Sequence, residues 1–112
     1  MAYDEGLAHR VRAAMVGQPG LVEKKMFGGL ALLLDGNMAC GVMGDDVLIR
    51  IDPASHDRVL AEPGTREFAM TSRPAKGWIL VGPDATGTDE DLRRWVDRGV
   101  GYARSLPPKP GR

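Results

Sequence analysis

Three successive side chains, Ser55, His56 and Asp57, carry the residue types of a hydrolytic triad. A triad is made by convergence in space, whereas neighbours one apart on a helix point in different directions, so the run reads as the exposed start of a helix. His9 stands beside Arg10 and Arg12 with no second ligand type near it, and no metal role is expected for it. Asp45 and Asp46 lack the interleaved oxygen ligands of a hard-cation loop and read as a turn. Cys40 is the one cysteine, flanked by Ala39 and Gly41 in an apolar run, and reads as a buried, unreactive thiol. A single cysteine also rules out an intrachain disulfide and a cysteine-based zinc site. No catalytic set, metal site or cofactor is expected, and the chain reads as a non-enzyme.

The group richest in binding chemistry is Arg66, Arg73, Lys76 and Trp78. Arginine forks onto carboxylate or phosphate and an aromatic ring stacks on a base, so these four could contact an anion, a nucleotide or a nucleic acid. Fifteen basic and fifteen acidic side chains cancel across the 112 residues, however, and a nucleic-acid footprint shows as a broad basic stripe. A solvated loop is therefore the plainer account, and a small-molecule or nucleotide site, or direct nucleic-acid binding, stands as the alternative. Met26-Phe27-Gly28-Gly29 reads as a hinge between two strands, because glycine takes backbone conformations closed to other residues, with Phe27 in the core.

The elements that must position these residues follow from spacing. Leu7, Val11, Ala14 and Met15 form one apolar stripe at helical intervals, stopped by Gly17-Gln18-Pro19-Gly20. Four apolar, strand-forming runs come next, Leu21 to Phe27, Leu30 to Leu34, Asn37 to Met43 and Val47 to Ile51, joined too tightly for parallel crossovers. Asp35-Gly36 marks a hairpin and Gly44-Asp45-Asp46 the next turn. Asp52-Pro53 opens a short helix reaching about Leu60. Arg66 to Met70 and Trp78 to Val81 read as two further strands separated by a polar loop from Thr71 to Gly77. Thr88-Asp89-Glu90-Asp91 caps a last helix whose Leu92, Trp95, Val96, Gly99, Ala103 and Leu106 face the sheet. The expectation is one α+β domain over residues 1–106, an antiparallel sheet of five to six strands carrying an N-terminal, a short middle and a C-terminal helix. Residues 107–112 form a flexible proline-rich tail. No apolar run approaches the roughly 20 residues of a membrane helix, and no signal peptide is visible, so a cytoplasmic protein is expected.

The central strands are apolar on both faces. Leu30, Leu32 and Leu34 oppose Ala31 and Leu33, and strict alternation sets Met38, Cys40 and Val42 against Ala39 and Met43. A sheet with one wetted face alternates apolar and polar residues, so something must cover the second face: helices of this chain, an apolar ligand or a second copy.

Met26-Phe27-Gly28-Gly29, Asp35-Gly36-Asn37 and Leu48-Ile49-Arg50-Ile51-Asp52 together resemble the TfoX N-terminal domain family, named for bacterial competence regulators. Arg73-Pro74-Ala75-Lys76-Gly77-Trp78 is similar to a further pattern of that family, with Ser72 and Ala75 where the family has glycine and methionine. The likeness runs from about Tyr3 to Ala103. It implies helices packed on an antiparallel sheet and a link to transcriptional control through other proteins, and it brings no catalytic residues. Competence regulators of this kind carry a second, C-terminal helical domain, so a stand-alone domain is expected here. The expected function is that of a non-enzymatic regulatory or protein-interaction module, a homodimer whose two-faced sheet contributes to an interface.

Overall fold

The computed structural model describes residues 3–26, 28–69 and 74–109. Helix α1 (Glu5–Met15) begins where the Asp4 carboxylate accepts the Leu7 amide proton at 2.9 Å, meeting one of the donors a helix start leaves unpaired. Strands β1 (Leu21–Met26), β2 (Gly29–Leu34), β3 (Asn37–Met43) and β4 (Asp46–Arg50) follow as a meander. The β2–β3 turn has Asp35 at φ 51° and Gly36 at φ 85°, the paired positive angles that an Asp-Gly hairpin supplies. Asp52 caps a 3₁₀ turn (Pro53–Ser55) that runs into helix α2 (His56–Leu60). Strands β5 (Thr65–Ala69) and β6 (Pro74–Val81) come next, and helix α3 (Asp89–Ser105) starts at Thr88, whose hydroxyl accepts the Asp91 amide proton at 3.0 Å.

The strands form one sheet in the order β1-β2-β3-β4-β6-β5, every neighbour antiparallel, and the chain has the expected α+β class with six strands. Strand β6 is longer than its sequence suggests. It begins at Pro74, inside the segment that composition assigns to a loop, because Gly77 at φ 88° kinks the strand while its carbonyl accepts the Ile51 amide proton at 2.8 Å. The expected tail is held as far as Lys109: its amide donates to the Asp35 carbonyl at 2.8 Å, and Asn37 Nδ2 donates to the Pro107 carbonyl at 2.9 Å. Residues 110–112 lie outside the described residues.

A register shift between β2 and β3 overturns one assignment of faces. Leu32 lies opposite Cys40 but Leu33 lies opposite Met38, so β3 carries an extra residue there. Met38 consequently joins Ala31 and Leu48 on one face, while Ala39 joins Cys40 and Val42 on the other, the reverse of simple alternation. The face of Ala39, Cys40 and Val42 holds the main core, where Leu7, Val11 and Met15 of α1 and Leu92, Trp95 and Val96 of α3 pack over Leu30, Leu32, Val42, Val47, Ile49, Ile79 and Val81. Val59 of α2 belongs to the same core. Helix α3 rides unusually low over the bulge: a Cβ added at Gly99 would come within 2.2 Å of the Ala39 carbonyl oxygen.

Candidate functional site

The second face is where the chain presents chemistry that its own core does not use. Ala31, Met38, Leu48 and Phe68 are buried there, beneath the half-buried Met26, Leu33, Met43, Ala75, Trp78 and Leu80. All of these residues stand on strands, so among the described residues no helix joins this layer. Of the three covers that the two-faced pattern allows, a helix is not supplied by the described residues of this chain. Three methionines lie in the patch, and methionine's unbranched, polarizable chain adapts to differently shaped partners. Charge is kept to the margin. Lys24 lies opposite Ala31 on the outer strand, Asp46 forms an ion pair with Arg66, and the Arg50 guanidinium lies 5.2 Å from the centre of the Trp78 ring. An apolar centre inside a charged rim is the general plan of a protein interface.

The described members of the basic group proposed from sequence lie on β5 and β6, and their charges are paired. Arg66 is held by Asp46, and Lys76 meets Asp57 at 3.2 Å. Trp78 lies on β6 directly opposite Arg50, whose guanidinium is also 5.6 Å from the Tyr102 ring centre, so that one cation is within reach of two aromatic rings. Arg73 lies outside the described residues. Arg50 is the member that sequence reasoning passed over, and its signal was available: it is the one charged residue in the otherwise apolar run Val47 to Ile51.

The glycine hinge is explained by geometry. Met26 pairs with Gly29 at the end of β1 and β2, Gly28 takes φ 74°, and a Cβ at Gly29 would lie 2.3 Å from the Val42 carbonyl oxygen. Gly28 thus serves the turn and Gly29 the close passage of β2 beside β3, while Met26 contributes to the open face. Phe27 lies outside the described residues.

The expectation of an exposed Ser55-His56-Asp57 run is corrected at its centre. Ser55 accepts from Arg58 and Asp57 pairs with Lys76, so the three side chains diverge, but His56 is 0% exposed. Its Nδ1 accepts the Gly77 amide proton at 3.0 Å, which leaves the ring proton on Nε2 to be donated to Glu67 Oε1 at 2.7 Å. The imidazole ties α2 to β5 and to the kink in β6. His56→Leu, which leaves the Gly77 amide buried and unpartnered, is expected to cost about 2 kcal/mol in urea unfolding, and Glu67→Gln, which retains an acceptor, less than about 1 kcal/mol.

Cys40 is fully buried in the helix-side core, and burial pushes its thiol up to about 12. Among the described residues no three His, Cys, Asp or Glu side chains come together as a metal set. A shallow groove of about 400 Å³ runs between α2 and α3, lined by Asp52, Arg58, Glu62, Arg98 and Tyr102, with Arg98 bonded to Glu62 at 2.9 Å. Its charges are of both signs and select no ligand class. No helix among the described residues is long and apolar enough to cross a membrane.

Comparison with known proteins places this geometry in context. The family model described as the TfoX N-terminal domain matches residues 13–103, from the end of α1 through most of α3. No curated protein matches the chain.

Proposed function

The chain belongs to the TfoX N-terminal domain family, and from that premise and its open sheet face we propose that it is a non-enzymatic regulatory module that acts by binding another protein there. The observation that carries this reading is the second apolar layer, built from strand residues alone and rimmed by paired charges. Contiguous apolar surface inside a polar rim marks an interaction site more often than it marks accident. The chemistry of the remaining residues points the same way. The one thiol is buried and held protonated, and both ring nitrogens of His56 are occupied, so neither is free as a nucleophile or a base. The described cations of the basic group each have a carboxylate or aromatic partner, which favours a protein surface over an anion site.

Leu80 is the position at which to test this, since it is half-buried on the face opposite the helix-side core. Leu80→Glu is expected to weaken the partner complex at least about tenfold while the thermal midpoint falls by no more than about 5 °C. The partner itself is reached by placing a photocrosslinking side chain at Met43 on this face, with one at the exposed Arg93 of α3 as the control. Adducts with the same protein from Met43 and none from Arg93 support the reading. Equal labelling from both positions, or a complex indifferent to Leu80→Glu, overturns it. A thermal shift with phosphorylated metabolites that vanishes in Arg66→Ala would favour the nucleotide-binding alternative instead.

A further inference from the structure

Strand β1 is one free edge of the sheet, and its residues allow one particular partner: itself. We propose that two copies of the chain pair antiparallel along β1, with Glu23 of each strand opposite Lys25 of the partner subunit and the two-fold axis at Lys24.

The backbone sets which residues can take part. The Asp35 amide donates to the Gly20 carbonyl at 3.1 Å, and the register continues through Val22↔Leu33, Lys24↔Ala31 and Met26↔Gly29. In an antiparallel ladder, residues that bond their neighbour alternate with residues whose N–H and C=O point the other way. Val22, Lys24 and Met26 therefore bond β2, and Leu21, Glu23 and Lys25 turn both backbone groups outward. An added strand must meet those outward groups, which restricts a symmetric pairing to registers in which they face each other.

Side-chain chemistry then chooses among the registers. With Lys24 on the axis, Glu23 faces the partner's Lys25 and Lys25 faces the partner's Glu23, so opposite charges meet on the helix side of the sheet. On the open side Val22 faces the partner's Met26. A shift that brings Glu23 onto the axis sets the two glutamates against each other, and a shift to Lys25 does the same with lysines. Cross-strand neighbours attract or repel according to such pairs. The chosen register leaves one like-charged pair, Lys24 with its copy, on the open side, where both ammonium groups reach water.

Two further observations fit. Among the described residues, the large apolar side chains left most exposed are Val16, 79%, just before β1, and Val22, 50%, within it. The pairing covers Val22. Glu23 is already oriented, with both carboxylate oxygens accepting from Arg12 Nε at 3.0 and 3.1 Å, so it is held on the helix side where the partner's Lys25 arrives. Lysines on an edge strand guard against indiscriminate pairing. Here the register centred on Lys24 is the one that sets opposite charges against each other.

Sedimentation velocity over a concentration series of the purified chain tests this. The wild type is expected to dimerise, Lys25→Glu to weaken the dimer at least about tenfold, and the double exchange Glu23→Lys/Lys25→Glu to restore it. Lys24→Thr, which removes the like-charged pair, is expected to tighten the dimer. Glu23→Pro removes an outward backbone donor and the exposed pairing with Arg12, leaves the bonds to β2 in place, and is expected to give a folded monomer. A wild type that stays monomeric throughout, a dimer unchanged by Lys25→Glu, or a double exchange that fails to restore association overturns the proposal. Leu80→Glu is expected to leave this dimer intact, so failure of the edge pairing and failure of the open-face reading are told apart.

Discussion

Gly99→Ala is expected to destabilise the protein by about 3 kcal/mol, whereas Gly101→Ala, two residues further along the same helix, is expected to stabilise it by up to about 1 kcal/mol. Helix propensity alone predicts a gain at both sites, because glycine loses more backbone freedom than alanine in a helix interior. What separates them is the environment of the added methyl group. At Gly101 nothing lies within 4 Å, so the gain in propensity is realised in full. At Gly99 the methyl would stand 2.2 Å from the Ala39 carbonyl oxygen and 3.1 Å from its carbon, backbone atoms that cannot swing aside. Helix α3 would have to lift from the sheet, loosening the contacts of Trp95, Val96 and Ala103 with the core. Urea unfolding of the two single variants and the double variant measures both effects. Equal signs at the two positions would refute the close approach of α3 to the bulge.

The alkaline limb of the stability curve is expected to be set largely by Cys40. Its thiol has an ordinary value near 9.0 and is pushed up to about 12 by burial, because an ionised sulfur in the core would lose its hydration. A raised value in the folded state means that the neutral thiol's contribution is complete below pH 9, where folded and unfolded chains are both protonated. Above pH 9 the unfolded thiol ionises and the folded one does not, so stability falls by about 1.4 kcal/mol per pH unit, or about 4 kcal/mol by pH 12. The stability difference between wild type and Cys40→Ala should therefore be constant from pH 6 to about 8.5 and shrink steadily above pH 9. A difference that stays flat to pH 11 would show that the thiol titrates alike in both states. Iodoacetamide should label the native protein far more slowly than the unfolded chain, since reaction waits on opening of the core.

Local chemistry made much of this fold legible in the sequence, and long-range contacts hid the rest. The Asp35-Gly36 turn, the Asp52 and Thr88 caps and the stripes of α1 and α3 depend on residues within a few positions of each other, and each lies where its pattern places it. The hinge is half local: the positive φ of Gly28 belongs to the turn, but Gly29 is required by Val42, thirteen positions away. The bulge in β3 could not be read, because strict alternation of side chains is the very assumption that an extra residue breaks. That one residue moved Met38 onto the open face and Ala39 beneath α3. His56 was misplaced for a related reason. Its helix start carries the composition of an exposed segment, and the partners that draw it inward, Glu67 and Gly77, arrive from strands 11 and 21 residues later. At the candidate site, the two-faced apolar pattern was visible in composition. The pairing of Arg66 with Asp46 and of Arg50 with Trp78 required the sheet order, in which β6 inserts between β4 and β5.

With α1, α2 and α3 all packed on one side of the sheet, descent with modification meets two very different surfaces. Substitutions beneath α1 and α3 must preserve volume and shape together, so they accumulate slowly and in compensating sets. Residues such as Met43, Ala75 and Leu80, half-buried and free of helices, can change singly at small thermodynamic cost. Lineages that inherit one such domain can drift apart in what they recognise while remaining superimposable in what they are.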